Sequence, residues 1–192
     1  MTPTSRSKKA RLFEIASAQD GYFALSQAHE AGYSTQSVYY HAKVGNFQRV
    51  RNRIYRLTNY PPSERADLMI LWLWSERRGV FSHSTALSLH ELSDLLPERV
   101  HLTLPLTEQG RQRKTPPGLV LHYAEVLERE RAWFGAVPVT SPRRTLLDCA
   151  ADSLSPELLD HALEQAVARG LLDIETITEV AKMIAMLKGH TR

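Results

Sequence analysis

The spacing of apolar residues changes rhythm along the chain, and each change predicts an element. In SKKARLFEIASAQDG, Leu12, Ile15, Ala16 and Gln19 share one stripe at helical spacing and Gly21 ends the run, which predicts a first helix. LSQAHEAG predicts a short second helix stopped at Gly32, a residue free to take the left-handed turn of a helix end. Ser34 then offers its hydroxyl as the cap of a third helix, TQSVYYHAKVG, ending at Gly45. On that helix Val38, His41, Ala42 and Gly45 fall on the inward side. Gln36, Tyr39, Tyr40 and Lys43 point outward, with Thr35 in the first turn. FQRVRNRIYRL follows with strand formers Phe47, Val50, Ile54, Tyr55 and Leu57, and RNR marks the turn, where Asn52 is the residue expected at positive φ. Helix, glycine turn, helix and ribbon together describe a winged helix-turn-helix.

TNYPPSERA carries two prolines that forbid helix and interrupt a ladder, so the domain junction is expected there, giving domains 1–60 and 61–192. Beyond it the pattern is mixed. SERADLMILWLWSERRG reads as a helix, and so does the segment from Ser82, a candidate cap, in which Ala86, Leu89 and His90 share a face. RVHLTLP, GLVLHYAEV and AVPVT read as strands, the first two joined by the polar loop LTEQGRQRKTPPG. Ser141 with Pro142 and Ser155 with Pro156 are cap-then-proline helix starts. Asp173 caps a last helix, where Leu172 is placed to staple onto Ile177 and the stripe is Ile177, Val180, Ala181, Ile184 and Leu187. The expected class is α+β: a winged helix-turn-helix followed by a mixed domain with a small sheet and several helices.

Charge sharpens this division. Residues 1–58 hold nine Lys/Arg against three Asp/Glu, while the remaining residues hold 15 against 18, so the first part suits a polyanion and the second does not. On the third helix, Gln is suited to an adenine edge, Thr and Tyr to phosphates or a thymine methyl, and Lys to a phosphate. The expected DNA-binding residues are therefore Thr35, Gln36, Tyr39, Tyr40 and Lys43, the ribbon's Arg49, Arg51, Arg53 and Arg56, and Lys8, Lys9 and Arg11 of the first helix. A second surface, Arg111, Arg113 and Lys114 in the proline-bounded loop with Arg143 and Arg144 at a helix start, is suited either to a nucleic acid or acidic partner or to internal salt bridges.

GYFALSQAHEAGYSTQSVYYHAKVGNFQRVRNRIYRL resembles the N-terminal domain of AbiEi-type antitoxins, and VFSHSTALSLHELSDLLPERVHLTLP with VPVTSPRRTLLDCAAD resembles the domain that follows it there, from about Gly21 to Arg169. The resemblance implies the antitoxin of a type IV (abortive infection) toxin-antitoxin pair. Such a protein represses its own operon at promoter inverted repeats and counters a nucleotidyltransferase-like toxin without requiring a stable complex. By position, the DNA-reading helix is Ser34 to Val44 and the wing Arg49 to Arg56. Two departures stand out: Asn52 and Arg53 replace the glycine usual at the wing turn, and Ala24 replaces a capping Thr, which points to Ser26 as the start of helix two.

A solitary regulator without a toxin is the nearest alternative, and a DNA-binding nuclease the rival from another class. A nuclease needs clustered acids with a lysine; HYAEVLERE offers Glu125, Glu128 and Glu130 without a partnering Lys. His83, His90, His101 and His122 have no metal-site spacing, nor do Ser82 or Ser84 with His83 and Asp94 form a nucleophile motif. His90 is expected as a satisfied core histidine and Cys149 as a small buried hydrophobe. No catalytic residue, metal or cofactor is expected. The longest apolar run, LMILWLW, falls far short of the roughly 20 residues of a membrane span. No disulfide is possible with one cysteine, and no export signal is visible, so a cytoplasmic location is expected.

Overall fold

The computed structural model describes residues 7–62, 64–94, 97–152 and 154–190. The chain is mixed α+β with two sheets. It divides into two compact units, Met1–Arg78 with Gly135–Val137, and Gly79–Phe134 with Pro138–Arg192.

In the first unit, helix α1 (Lys8–Ser17) starts where the Ser7 hydroxyl accepts from the Ala10 amide at 3.2 Å, and it buries Leu12 and Ala16. Asp20 and Gly21 then turn the chain through left-handed conformations, φ 53° and 84°. At Gly21 even an alanine is excluded, because a Cβ would lie 2.5 Å from the Tyr60 ring. Strand β1 (Tyr22–Ala24) follows, too short to show a period of two. Helix α2 (Leu25–Glu30) begins at Leu25 and not at Ser26. The missing Thr cap is replaced from inside the helix, where the Gln27 side chain accepts from the Ala24 amide at 2.9 Å and exchanges two hydrogen bonds with buried Gln19.

Gly32, at φ 95°, releases the chain into helix α3 (Thr35–Lys43), which Ser34 caps as expected through its hydroxyl and the Ser37 amide at 3.1 Å. Strands β2 (Phe47–Arg51) and β3 (Ile54–Leu57) form the wing, and the sheet order is β1-β3-β2, all antiparallel. Phe23 of β1 is the hub, edge-on to Phe47 at 5.1 Å and stacked on Tyr55 at 5.8 Å. Each such fully buried aromatic contributes roughly 1.5–3 kcal/mol of apolar burial. Helix α4 (Ala66–Trp74), apolar on almost every side, packs on β1 and β3. This segment shifts the boundary: the division falls at Arg78/Gly79, not at 60/61, because α4 finds its apolar partners in the first unit. The helix expected from Ser63 is seen from Ala66; Ser63 itself lies outside the described residues.

The second unit is built on a five-stranded sheet of order β6-β5-β4-β8-β7, from β4 (Val80–Phe81), β5 (Val100–Leu104), β6 (Leu119–Tyr123), β7 (Arg131–Phe134) and β8 (Val137–Thr140). β4 runs antiparallel to β5 and parallel to β8, and β5 and β6 are parallel, in register from Val100↔Leu119 to Leu104↔Tyr123. The polar loop between β5 and β6 is therefore a crossover, not a hairpin. Helices α5 (His83–Leu89), α6 (Pro142–Ala151), α7 (Pro156–Ala168) and α8 (Ile174–His190) bury Leu87, Leu146, Cys149, Leu159, Val180 and Ile184 in one core. Ser141, Ser155 and Asp173 each cap their helix as read, accepting from Arg144, Leu158 and Thr176 amides. Within the predicted α8 stripe Ala181 is exposed, and buried Thr176 takes an inward place instead.

Candidate nucleic-acid interface

Helix α3 turns one apolar residue, Val38, fully into the core and leaves its opposite face open. Tyr39 and Tyr40 are 53% and 62% exposed, large values for aromatic side chains, and Gln36 and Lys43 are exposed beside them. Thr35 is half-buried, its hydroxyl 3.0 Å from His29 Nε2. His41 and Ala42 are half-buried, and Gly45, expected inward, is exposed at φ 84°, where it ends the helix. His41 anchors α3 to the wing: its ring lies 5.0 Å from Phe47 and its Nδ1 3.0 Å from the Asn46 side-chain amide.

Tyr39 and the wing meet electrostatically at Tyr55. Burial raises the Tyr55 hydroxyl above its ordinary pKa, Tyr39 adds to the rise, and Arg49 opposes it. Tyr39 of α3 and Arg49 of β2 thus lie within electrostatic reach of one group. Arg49 and Arg53 are exposed and Arg51 half-buried. The wing turn differs from expectation. The left-handed residue is Arg53, at φ 59°, not Asn52, which instead accepts from the Arg49 guanidinium at 3.0 Å while β2 bulges between Arg49 and Arg51. Arg53 therefore occupies the kind of conformation glycine takes in bulged hairpins, a strained placement that carries a cation to the tip.

Arg56 does not join this surface. It is half-buried, donates to the Tyr60 carbonyl and lies 5.8 Å over the Tyr22 ring, so it holds β3 to the segment that follows. Lys8, Lys9 and Arg11 are exposed at the start of α1. The Lys8 stem passes over Gly32, and Lys9 borders a cavity of about 380 Å³ that it shares with Phe13, Tyr33, His41, Phe47 and Tyr60.

The second basic set resolves into internal ion pairs. Glu108, buried, takes Arg111 at 2.9 Å and Arg113 at 2.7 Å. Arg144 binds Asp148 at 2.7 Å, Glu130 at 3.0 Å and the Glu125 carbonyl at 3.1 Å; Arg143 binds Thr176 at 2.9 Å and Glu179 at 3.3 Å. Of these five residues, Lys114 is the exposed cation without an ion pair among the described residues. The unfavourable position of Arg143 and Arg144 at a helix start is offset by these carboxylates.

The glutamates weighed as a nuclease set serve separate local roles. Glu125 accepts from the Leu106 amide, Glu128 pairs with Arg131, and Glu130 accepts from the Leu127 amide and Arg144. Asp94 lies by His161, at 3.7 Å, while Ser82 contacts His83. Ser82 precedes α5 without capping it through its side chain. His90 is a bonded histidine as read, its Nε2 2.7 Å from the Thr140 carbonyl, and Cys149 is buried with its thiol pKa raised by desolvation. His83, His101 and His122, which the linear spacing kept apart, are gathered into one cluster.

No known family profile and no curated protein matches the chain. Among solved structures, the chain is similar to the RV2827C protein from Mycobacterium tuberculosis, at a TM-score of 0.52 and 16% identity, over 95% of this chain and 76% of that one. At that identity the likeness speaks to the α/β fold. Among the described residues, no helix is long and apolar enough to cross a membrane.

Proposed function

We propose that the chain is a sequence-specific DNA-binding regulator that reads duplex DNA with α3 and grips the backbone with the wing. The observation that carries this reading is the exposed face of Gln36, Tyr39, Tyr40 and Lys43 on a helix that His41 anchors to the strand bearing Arg49 and Arg51, in a unit with excess positive charge. An open tyrosine pair is poor surface chemistry in water and good chemistry against sugars, phosphates and thymine methyls. The AbiEi resemblance supplies the wider role: repression of its own operon at promoter inverted repeats, and neutralisation of a nucleotidyltransferase-like toxin without a stable complex. That role needs no cofactor and no catalysis, and it places the protein in the cytoplasm with the DNA. A solitary regulator has the same DNA face, and a neighbouring gene for a nucleotidyltransferase-like chain separates the two.

Base reading is tested at Gln36. Gln36→Ala is expected to weaken binding to the operator by roughly 1–3 kcal/mol and leave random duplex unchanged. Equal weakening on both duplexes would contradict base reading by this residue. Competition titrations with the DNA upstream of the gene and a shuffled control measure the difference.

A further inference from the structure

His83, His101 and His122 come from three elements, and the sheet register explains how they meet. Thr103 pairs with His122 and His101 with Val120 in the parallel β5/β6 ladder, so alternation puts His101, Thr103 and His122 on the same sheet face. The Ser82 amide donates to the His101 carbonyl at 3.2 Å, which delivers His83 to that face at the start of α5. The His83 and His122 rings stack with centroids 3.6 Å apart and planes 15° apart, and His101 lies 5.1 Å from His122 and 5.7 Å from His83. One ring nitrogen from each residue lies within 4.8 Å of the other two, and His101 Nδ1 is 2.9 Å from His122 Nε2.

Three further features are those of a ligand set. The first is orientation. Thr103 donates to the Ser82 hydroxyl at 2.8 Å, and that hydroxyl sits 2.9 Å from His83 Nδ1, a chain that holds the ring through Nδ1. The Thr85 hydroxyl accepts from the His101 backbone amide at 2.8 Å, which ties β5 to α5 beside the cluster. The second is strain: His83 enters its helix at φ 51°, a left-handed conformation that β-carbon residues avoid. The third is an open acceptor. Asp148, whose charge is felt at His122, has a buried Oδ2 that accepts no hydrogen bond among the described residues.

We propose that His83, His101 and His122 form a three-imidazole site for a single divalent transition-metal ion of the zinc class, with a further coordination position left for water or another small ligand. Tetrahedral coordination with metal–nitrogen bonds of about 2.0–2.1 Å sets ligand nitrogens roughly 3.3 Å apart. The His101–His122 separation of 2.9 Å opens by a few tenths to meet this, and the wider separations close by ring rotation. An all-nitrogen set selects zinc, cobalt, nickel or copper over magnesium and calcium, which take oxygen ligands. The residues all lie in the second unit, so the site stands whether or not α3 reads DNA.

The test uses full-length protein without a histidine tag, stripped with chelator and titrated with cobalt(II). One equivalent should bind, giving the intense visible absorption of four-coordinate cobalt, and zinc should displace it. His101→Ala and His122→Ala should each lower affinity by more than the roughly 10–100-fold typical of losing an outer-shell partner, while His161→Ala should bind normally. X-ray absorption of the wild-type zinc form, which needs no variant to fold, should show three imidazoles. Failure to bind a stoichiometric ion at micromolar metal, fewer than three imidazoles, or full binding by a folded His101→Ala/His122→Ala double variant would overturn the site.

Discussion

Replacing Lys43, Arg49 and Arg51 together by alanine is expected to reduce the magnitude of the slope of log K against log salt by about 2.7, since each neutralised phosphate contributes about 0.9. Lys43 and Arg49 are exposed and Arg51 half-buried, so the triple variant should remain folded. The loss should be shared by operator and random duplex, in contrast to Gln36→Ala, because phosphate contacts carry no sequence. Arg56 is left out because its guanidinium is committed to Tyr60 and Tyr22. Anisotropy titrations at several salt concentrations measure the slope; an unchanged value would take these three cations off the DNA.

Glu108→Ala should be the most damaging single substitution in the crossover between β5 and β6. The carboxylate is 1% exposed and joins Arg111 and Arg113, the latter only 18% exposed. Removing it strips the buried charge balance of that loop, a change that typically costs about 3–5 kcal/mol. Arg111→Ala removes the more exposed partner, 55% accessible, and should cost only about 0–1 kcal/mol. Denaturant unfolding of the two variants measures the difference. Similar losses for both would show that the pair acts as a surface contact and not as a buried charge balance.

The parts of this fold that were legible in the sequence are those written in local chemistry. Ser34, Ser141 with Pro142, Ser155 with Pro156 and Asp173 mark helix starts because a cap is satisfied within three residues. The exposed face of α3 was legible because Val38 fixes the inward direction of a regular helix. Strands β1 and β4, three and two residues long, leave no alternation to read and exist through their neighbours. The parallel β5/β6 pair was illegible because its crossover contains no long helix, only a 3-10 turn at Leu106–Glu108. Arginine roles divided by burial of their partners, a tertiary property: Arg113 and Arg144 sit on carboxylates that nothing in their immediate sequence identifies as buried. The histidine cluster is the extreme case, since its members lie on β5, β6 and the start of α5 and converge only through register. The one linear trace was His101 and Thr103 two apart on a strand, aligned with a second strand bearing His122.

The central claim, that α3 and the wing meet duplex DNA, is tested most directly by mapping backbone amide shifts of the labelled protein as a duplex from its own promoter is added. The largest changes are expected at Thr35 to Lys43 and at Arg49 to Arg53, with smaller ones at Lys8 to Arg11 and little at the buried α7 positions Leu159 and Ala162. Binding that leaves α3 and the wing unshifted while perturbing the second unit, or no binding at low salt, would contradict it.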